Sequence, residues 1–445
     1  MTSAATEQVS PKTLRKVIVA AAIGNFVEWF DFAVYGFLAT AIAQQFFPSG
    51  DASAALLKTF AVFAVAFAFR PLGGIFFGML GDRIGRKRTL AMTILLMAAA
   101  TTLIGLLPTY AAIGVMAPIL LTVIRCAQGF SAGGEYAGAC AYLMEHAPSD
   151  KRAWYGSFVP VSTFSAFAAA AVVAYALEAS LTPEAMGSWG WRLPFLIAAP
   201  LGLVGLYLRW KLDETPAFQA VTQEHDVAHS PLKETLRNHG AAICCLGAFV
   251  SLTALSFYMF TTYFATYLQV AGGLSRAAAL LVSLIALLFA AAICPLAGLY
   301  SDKVGRRVTV MSACALLIVV VFPSFLMASS GSFAASIVGV MLLAVGAVLC
   351  GVVTAALLSE TFPTRTRYTA SAITYNMAYT IFGGTAPLMA TWLITTTGSN
   401  LSPAFYLIAV ALLALAGGLA LPETSRISLH DVPTGEKGVS VGATA

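Results

Sequence analysis

Charge is what this sequence has least of. Only 10% of its 445 residues are Asp, Glu, Lys or Arg, against about 25% in soluble domains. Histidine is nearly as scarce: the five (146, 225, 229, 239 and 430) lie at helix ends, in loops or in the tail. There is no C-x-x-C, no Cys/His cluster with metal-ligand spacing and no phosphate-cradling G-x-x-x-x-G-K-[ST] loop. These absences exclude an ordinary soluble enzyme, a disordered chain, a nucleic-acid binder and an ATP-driven pump. They leave a membrane enzyme without a catalytic constellation. No cofactor and no metal are expected, and the chain is not read as an enzyme. The seven Cys all fall in apolar stretches and read as buried packing residues.

What fills the chain instead is apolar: 59% of it is hydrophobic. Twelve segments are long enough to cross a bilayer, at about 17–43, 57–80, 89–107, 113–145, 153–178, 190–210, 239–270, 274–299, 308–328, 334–359, 368–397 and 402–421. They are too long, and too little alternating, for barrel strands. The expected fold is all-α, twelve transmembrane helices in two six-helix bundles. The polar stretch from Arg209 to Asn238 marks the seam. Expected units are a tail at 1–16, a bundle at 17–210, a central loop at 211–238, a bundle at 239–421 and a tail at 422–445.

Basic residues set the orientation. Of 25 Lys and Arg, 20 fall in loops or tails that would share one face, leaving Lys58, Arg70, Arg125, Arg192 and Arg276 elsewhere. The positive-inside rule then puts both termini and the central loop in the cytoplasm. The first apolar run carries Glu28 and Asp31 and is too long for a cleavable signal peptide.

Two elements recur at nearly half the chain length. Gly78, Asp82, Gly85 and Arg86, with Arg83 between them, repeat 220 residues later around Gly298, Asp302, Gly305 and Arg306. Glu145-x-x-Pro148-x-x-x-Arg152 repeats, 215 residues on, as Glu360-x-x-Pro363-x-x-x-Arg367. Two similarly built halves follow. Lys and Arg alone would serve topology, and an Asp does not help it. Asp82 or Asp302 is therefore read as a conformational latch, capping a helix N-terminus in the opposite half, where the dipole favours an anion.

This doubled loop resembles the signature of the major facilitator superfamily. The first span, Gly24-Asn25-Phe26-Val27-Glu28-Trp29-Phe30-Asp31-Phe32, is similar to that of its metabolite:proton symporters. So are Arg70-Pro71-Leu72-Gly73-Gly74, Gln128-Gly129-Phe130-Ser131-Ala132-Gly133-Gly134-Glu135-Tyr136 and Trp189-Gly190-Trp191-Arg192-Leu193-Pro194-Phe195. Gly205 to Gln219 and Phe362-Pro363-Thr364 resemble the proline/betaine transporters among them. The resemblance implies alternating access in a cell inner membrane and proton symport of a small zwitterionic solute, by a functional monomer with no nucleic-acid partner. A proton symporter of a di- or tricarboxylate, such as alpha-ketoglutarate or citrate, is the alternative; sodium coupling and facilitated exchange also stay open.

Ionisable groups inside a span are costly unless paired or facing water, so function is their default reading. Asn25, Glu28, Asp31 and Tyr35 share one face of the first helix by their spacing. Asp31, roughly 20 Å from the cytoplasmic end, is the first candidate for proton carrier, and Glu28 the second. Arg125 is the leading anchor for a substrate carboxylate, since a guanidinium offers a bidentate fork. A fixed Asp31–Arg125 pair that only joins helices is the alternative. Arg70, beside Pro71 and a Gly pair, reads as structural, and Glu135 fits either role. In the second half, Tyr258 and Tyr263 on the seventh span and Tyr375, Asn376 and Tyr379 on the eleventh offer a binding wall. Aromatic faces hold a desolvated ammonium with about 2 kcal/mol; lipid-facing rings are the bland alternative. The glycines at 129, 133, 134 and 138 would let the fourth span pack closely.

Overall fold

The structure is a computed structural model that describes residues 11–84, 86–133, 136, 140, 144, 147–148, 150–211, 231–362 and 367–425. Among these, nine helices are long and apolar enough to cross a membrane, and one bent pair and two shorter apolar helices join them. In chain order they fall where the twelve spans are expected. They are α1 (Asn25–Phe37, with a continuation at Ala39–Phe46), α2 (Ala52–Phe77), α3 (Ala91–Leu106), α4 (Met116–Ser131), α5 (Arg152–Ser180) and α6 (Gly190–Tyr207). The second set is α7 (His239–Val270), α8 (Arg276–Val304), α9 (Arg306–Ala328), α10 (Phe333–Glu360), α11 (Ala370–Thr397) and α12 (Ser402–Leu419). The described residues form no strand.

Local chemistry places the ends. Asp51 opens α2 by accepting the Ser53 N–H at 2.8 Å, and Ser275 and Ser332 cap α8 and α10 in the same way. Between α8 and α9 the chain reverses through Gly305 at φ +94°, which a side chain would strain. One boundary differs from expectation: the helix leading into α7 starts at Pro231, inside the expected central loop. Proline is well placed in a first helical turn, where its missing N–H costs nothing. Residues 212–230, the rest of that loop, lie outside the described residues.

Packing sorts the helices into two groups. In the first, α1 lies on α5 and α6, α6 on α3, and α4 on α2 and α3. In the second, α7 lies on α10, α11 and α12, α9 on α10 and α12, and α8 on α10. Glycine makes the α2–α4 contact close. A Cβ on Gly73 would overlap the Phe130 carbonyl, and one on Gly129 the Ala66 carbonyl. The groups meet along α5–α8 and α2–α11, and at the contact of α1 with a π-helical turn of α7, Met259–Tyr263. Val319, Leu296 and Leu203 face outward and are more than half exposed, as lipid-facing side chains are. Cys140, Cys294, Cys314 and Cys350 are buried as expected, but Cys244 is exposed.

Candidate functional site

Four charged side chains meet the centre of the first group. Glu28 and Asp31 come from α1, Arg70 from α2 and Arg125 from α4, and all are 0–5% exposed. Arg125 stacks on the Tyr35 ring, its Cζ 4.1 Å from the centroid, and donates to Gln128 Oε1 at 2.7 Å. Gln128 passes the chain on to the Thr101 hydroxyl at 2.6 Å. Thr101 faces Asp31, yet neither Asp31 oxygen has a hydrogen-bond partner. The fixed Asp31–Arg125 pair is therefore not formed. Arg125 Nε and Nη2 are likewise buried without partners. Buried polar atoms left unsatisfied are rare and call for an explanation.

Arg70 departs most from its sequence reading. Its Cζ lies 5.3 Å from the Phe67 ring and 5.7 Å from Phe32, and one donor reaches the Ala132 carbonyl at 3.3 Å. Its Nε and Nη1 are unpartnered. Around it stand Tyr258, Tyr375, Glu28 and Tyr379, each near enough to act on its charge. A residue read as structural thus sits where the two groups of helices meet. Its distance from Tyr258 in sequence hides this, because only helix rotation decides which face a side chain takes.

The aromatic wall comes from α7 and α11. Tyr375 stacks on Tyr379 with centroids 3.9 Å apart and on Tyr136 of the first group at 4.5 Å. Tyr258 meets Tyr379 edge to face, and the hydroxyls of Tyr258 and Tyr375 are buried without partners. Both helices carry a π-helical turn here, Met259–Tyr263 and Tyr379–Gly383, a feature frequent at functional sites. Asn25 and Tyr263 are not brought into this cluster. Asn25 donates to Ser162 and Thr163 at 2.8 Å and accepts from Trp29 Nε1, tying α1 to α5. Tyr263 packs on Phe60 and Tyr267. Asn376 lies at the junction, donating to the Gly133 carbonyl at 3.0 Å. Glu135 lies outside the described residues.

A second cluster closes the end where α5, α9 and the tail of α12 begin. Asp302 accepts from the Ala153 and Trp154 backbone N–H groups at 2.9 and 2.8 Å, capping α5 of the other group. Arg306 bonds Asp302 at 3.0 Å and grips Glu360 through two 3.0 Å bonds. Arg152 lies 3.8 Å from Glu360 across the seam. Sequence reasoning missed the strap beyond α12. Thr424 donates to Glu360 at 2.8 Å, and Glu423 caps α9 through the N–H groups of Arg306 and Arg307 at 2.8 and 3.0 Å. Burial opposes ionisation of Glu423, but backbone N–H groups of Arg306, Ser425 and Arg307 outweigh it and hold the carboxyl below the usual carboxylate range. A signal existed: Leu-x-Glu-Thr at 421–424 repeats the run at 212–215. In the matching first-half elements, Gly85 and Glu145 lie outside the described residues, as do the side chains at 78, 82, 83 and 86 and, in the second half, that of Arg367.

Two groups of six apolar helices around one buried charged centre define a multi-pass membrane transporter. The chain belongs to the Major Facilitator Superfamily, whose model matches residues 21–387. It is 39% identical over 422 residues to the proline/betaine transporter of Salmonella typhimurium, covering 93% of this chain and 84% of that one. The glycine betaine/proline/ectoine/pipecolic acid transporter OusA of Dickeya dadantii is also 39% identical over 422 residues, with the same coverage. Among solved structures, the proton:xylose symporter XylE bound to 6-bromo-6-deoxy-D-glucose superposes with a TM-score of 0.73 at 18% identity, over 95% of this chain and 99% of that one. That likeness is one of fold.

Proposed function

We propose that the protein imports a small zwitterionic solute, proline or glycine betaine, by proton symport through alternating access. The observation that carries this reading is the buried centre itself, where two carboxyl groups and two guanidinium groups face an aromatic wall. Arg70 and Arg125, each with two unpartnered nitrogens, are the anchors for the solute carboxylate. The faces of Tyr258 and Tyr379 take the ammonium by cation–π attraction, and Tyr375, stacked between Tyr136 and Tyr379, backs that wall. A zwitterion brings no net charge into this buried site, whereas a dicarboxylate would bring two buried negative charges. The names of the relatives point the same way.

Asp31 is assigned as the proton carrier, with Glu28 second. Its oxygens lose water when the site closes, so its proton affinity differs between open and closed states. Solute bound at Arg125, one Gln128–Thr101 relay away, couples to that affinity and is coupled by it in equal measure. Asn25 serves helix packing and Tyr35 supports the Arg125 guanidinium. The units at 17–210 and 239–421 rock about the seam, both termini face the cytoplasm of an inner membrane, and a single chain suffices. Asp302, Arg306, Arg152 and Glu360 latch the cytoplasmic end.

The test is reconstitution into liposomes under an imposed pH gradient. Labelled proline, glycine betaine and alpha-ketoglutarate are compared with and without an uncoupler. Accumulation of the first two, abolished by the uncoupler, is expected. Uncoupler-insensitive uptake removes symport, and preference for alpha-ketoglutarate removes the zwitterion.

A further inference from the structure

At the opposite end of the seam from the latch, a cavity of about 390 Å³ opens between the two groups of helices. Gln44, Gln45, Glu178, Gly187, Gln269 and Arg276 are among its lining residues. Glu178 stands in the last turn of α5 and Arg276 in the first turn of α8, so the two charges come from opposite sides of the seam. Their ion pair is a single 3.5 Å contact between partly exposed side chains, 18% and 23% accessible. A pair of this kind contributes about 0–1 kcal/mol and separates readily. Beside it the Thr40 hydroxyl donates to Gln269 Oε1 across the seam, at 3.5 Å.

The field in this cavity is that of a zwitterion's counterpart. Arg276 adds its charge to the positive N-terminal end of the α8 dipole, and Glu178 adds its own to the negative C-terminal end of α5. A carboxylate is attracted to one wall and an ammonium to the other. The volume lies within the range of small-molecule sites.

We propose that this vestibule is an entry subsite that captures a zwitterionic solute, with its carboxylate on Arg276 and its ammonium on Glu178, and in doing so splits the ion pair that ties the outer ends of α5 and α8. The site rests on the zwitterion reading given above and adds to it a place and a trigger. The solute unties the outer gate only when it carries both charges. A lone anion or cation satisfies one partner and leaves the other charge uncompensated.

The experiment labels a Gln44→Cys variant in intact proteoliposomes with a membrane-impermeant maleimide, and measures proline uptake on the same preparation. Proline and glycine betaine are expected to slow labelling, whereas acetate and choline at equal concentration do not. Arg276→Gln and Glu178→Gln are each expected to raise the protecting concentration about five- to tenfold, as loss of one charge-assisted contact does. The double exchange Glu178→Arg with Arg276→Glu restores an ion pair but places each charge on the helix end of opposite sign, so the dipoles then cancel the field that the native pair reinforces. Capture predicts weakened protection there, while a merely structural tie predicts wild-type protection. Uptake of proline without protection, or protection unchanged in the single variants, overturns the subsite and leaves symport standing. Absence of both uptake and protection overturns the zwitterion reading and the subsite together.

Discussion

The carboxylate of Asp302 crosses the seam to the backbone N–H of Trp154 at 2.8 Å, so a loop of one half caps a helix of the other. Its second oxygen takes Ala153 N–H at 2.9 Å and also accepts from Arg306 at 3.0 Å. A Cβ on Gly298 would stand 2.7 Å from the Ala153 carbonyl, so the two helices approach at backbone distance. A charged cap with a good ion-pair partner contributes about 1–2 kcal/mol. The halves are thus joined by a contact that the proposed rocking has to break.

Asp302→Asn keeps one acceptor and loses the charge. The latch is expected to weaken by about 1–2 kcal/mol, opening that end of the seam more often. Cys140, 1% exposed, reports this through its alkylation rate by a permeant maleimide. A severalfold faster reaction is expected in the variant, and an unchanged rate counts against the latch.

Asp31→Asn removes the titratable group while preserving its shape. Accumulation driven by a pH gradient is expected to vanish, while exchange of labelled for unlabelled proline persists. Counterflow and net uptake in the same liposomes separate the two. Full accumulation in this variant would move the coupling role to Glu28.

Tyr258 separates a ring from its hydroxyl. Tyr258→Phe keeps the aromatic face and removes only an unpartnered oxygen, so the KM for glycine betaine should hold within about twofold. Tyr258→Ala removes about 2 kcal/mol of cation–π attraction, which corresponds to roughly a thirtyfold rise in KM. Equal effects of the two variants would deny the cage. Arg70→Lys keeps the charge but not the planar fork, and is expected to raise KM as well.

Glu423 gives the strap a pH dependence. Its carboxyl is held below its ordinary value by the N–H groups it caps. Its contribution is therefore complete above the free value and is lost as pH falls through the lowered one. Glu423→Gln should reproduce at neutral pH the loosening that acid brings to the wild type. Alkylation of Cys140 at neutral and acid pH checks both. A variant indistinguishable from wild type at neutral pH would show that the cap does not support the latch.

Much of this was legible without coordinates. The spans, the seam and the repeat follow from composition and spacing, since lipid admits only long apolar helices and internal duplication leaves its offset in the chain. Asp31 and Arg125 were identifiable because a charge in a span has few reasons to be there. Asp302 was identifiable because it does nothing for topology.

Which side chains share the centre was settled by helix rotation and close approach. Asn25 lies on the same sequence face as Asp31, yet its amide is taken by Ser162 and Thr163 of α5. Arg70, in a run that reads as packing, is turned towards Tyr258, Tyr375 and Tyr379 from a helix whose glycines let it pack closely on α4. Glu423 caps α9 across 117 residues of sequence. Hydropathy and charge act residue by residue, so the sequence by itself determined what enters the membrane. The angle at which each helix meets its neighbours depends on all of them at once, and only the tertiary structure decided that.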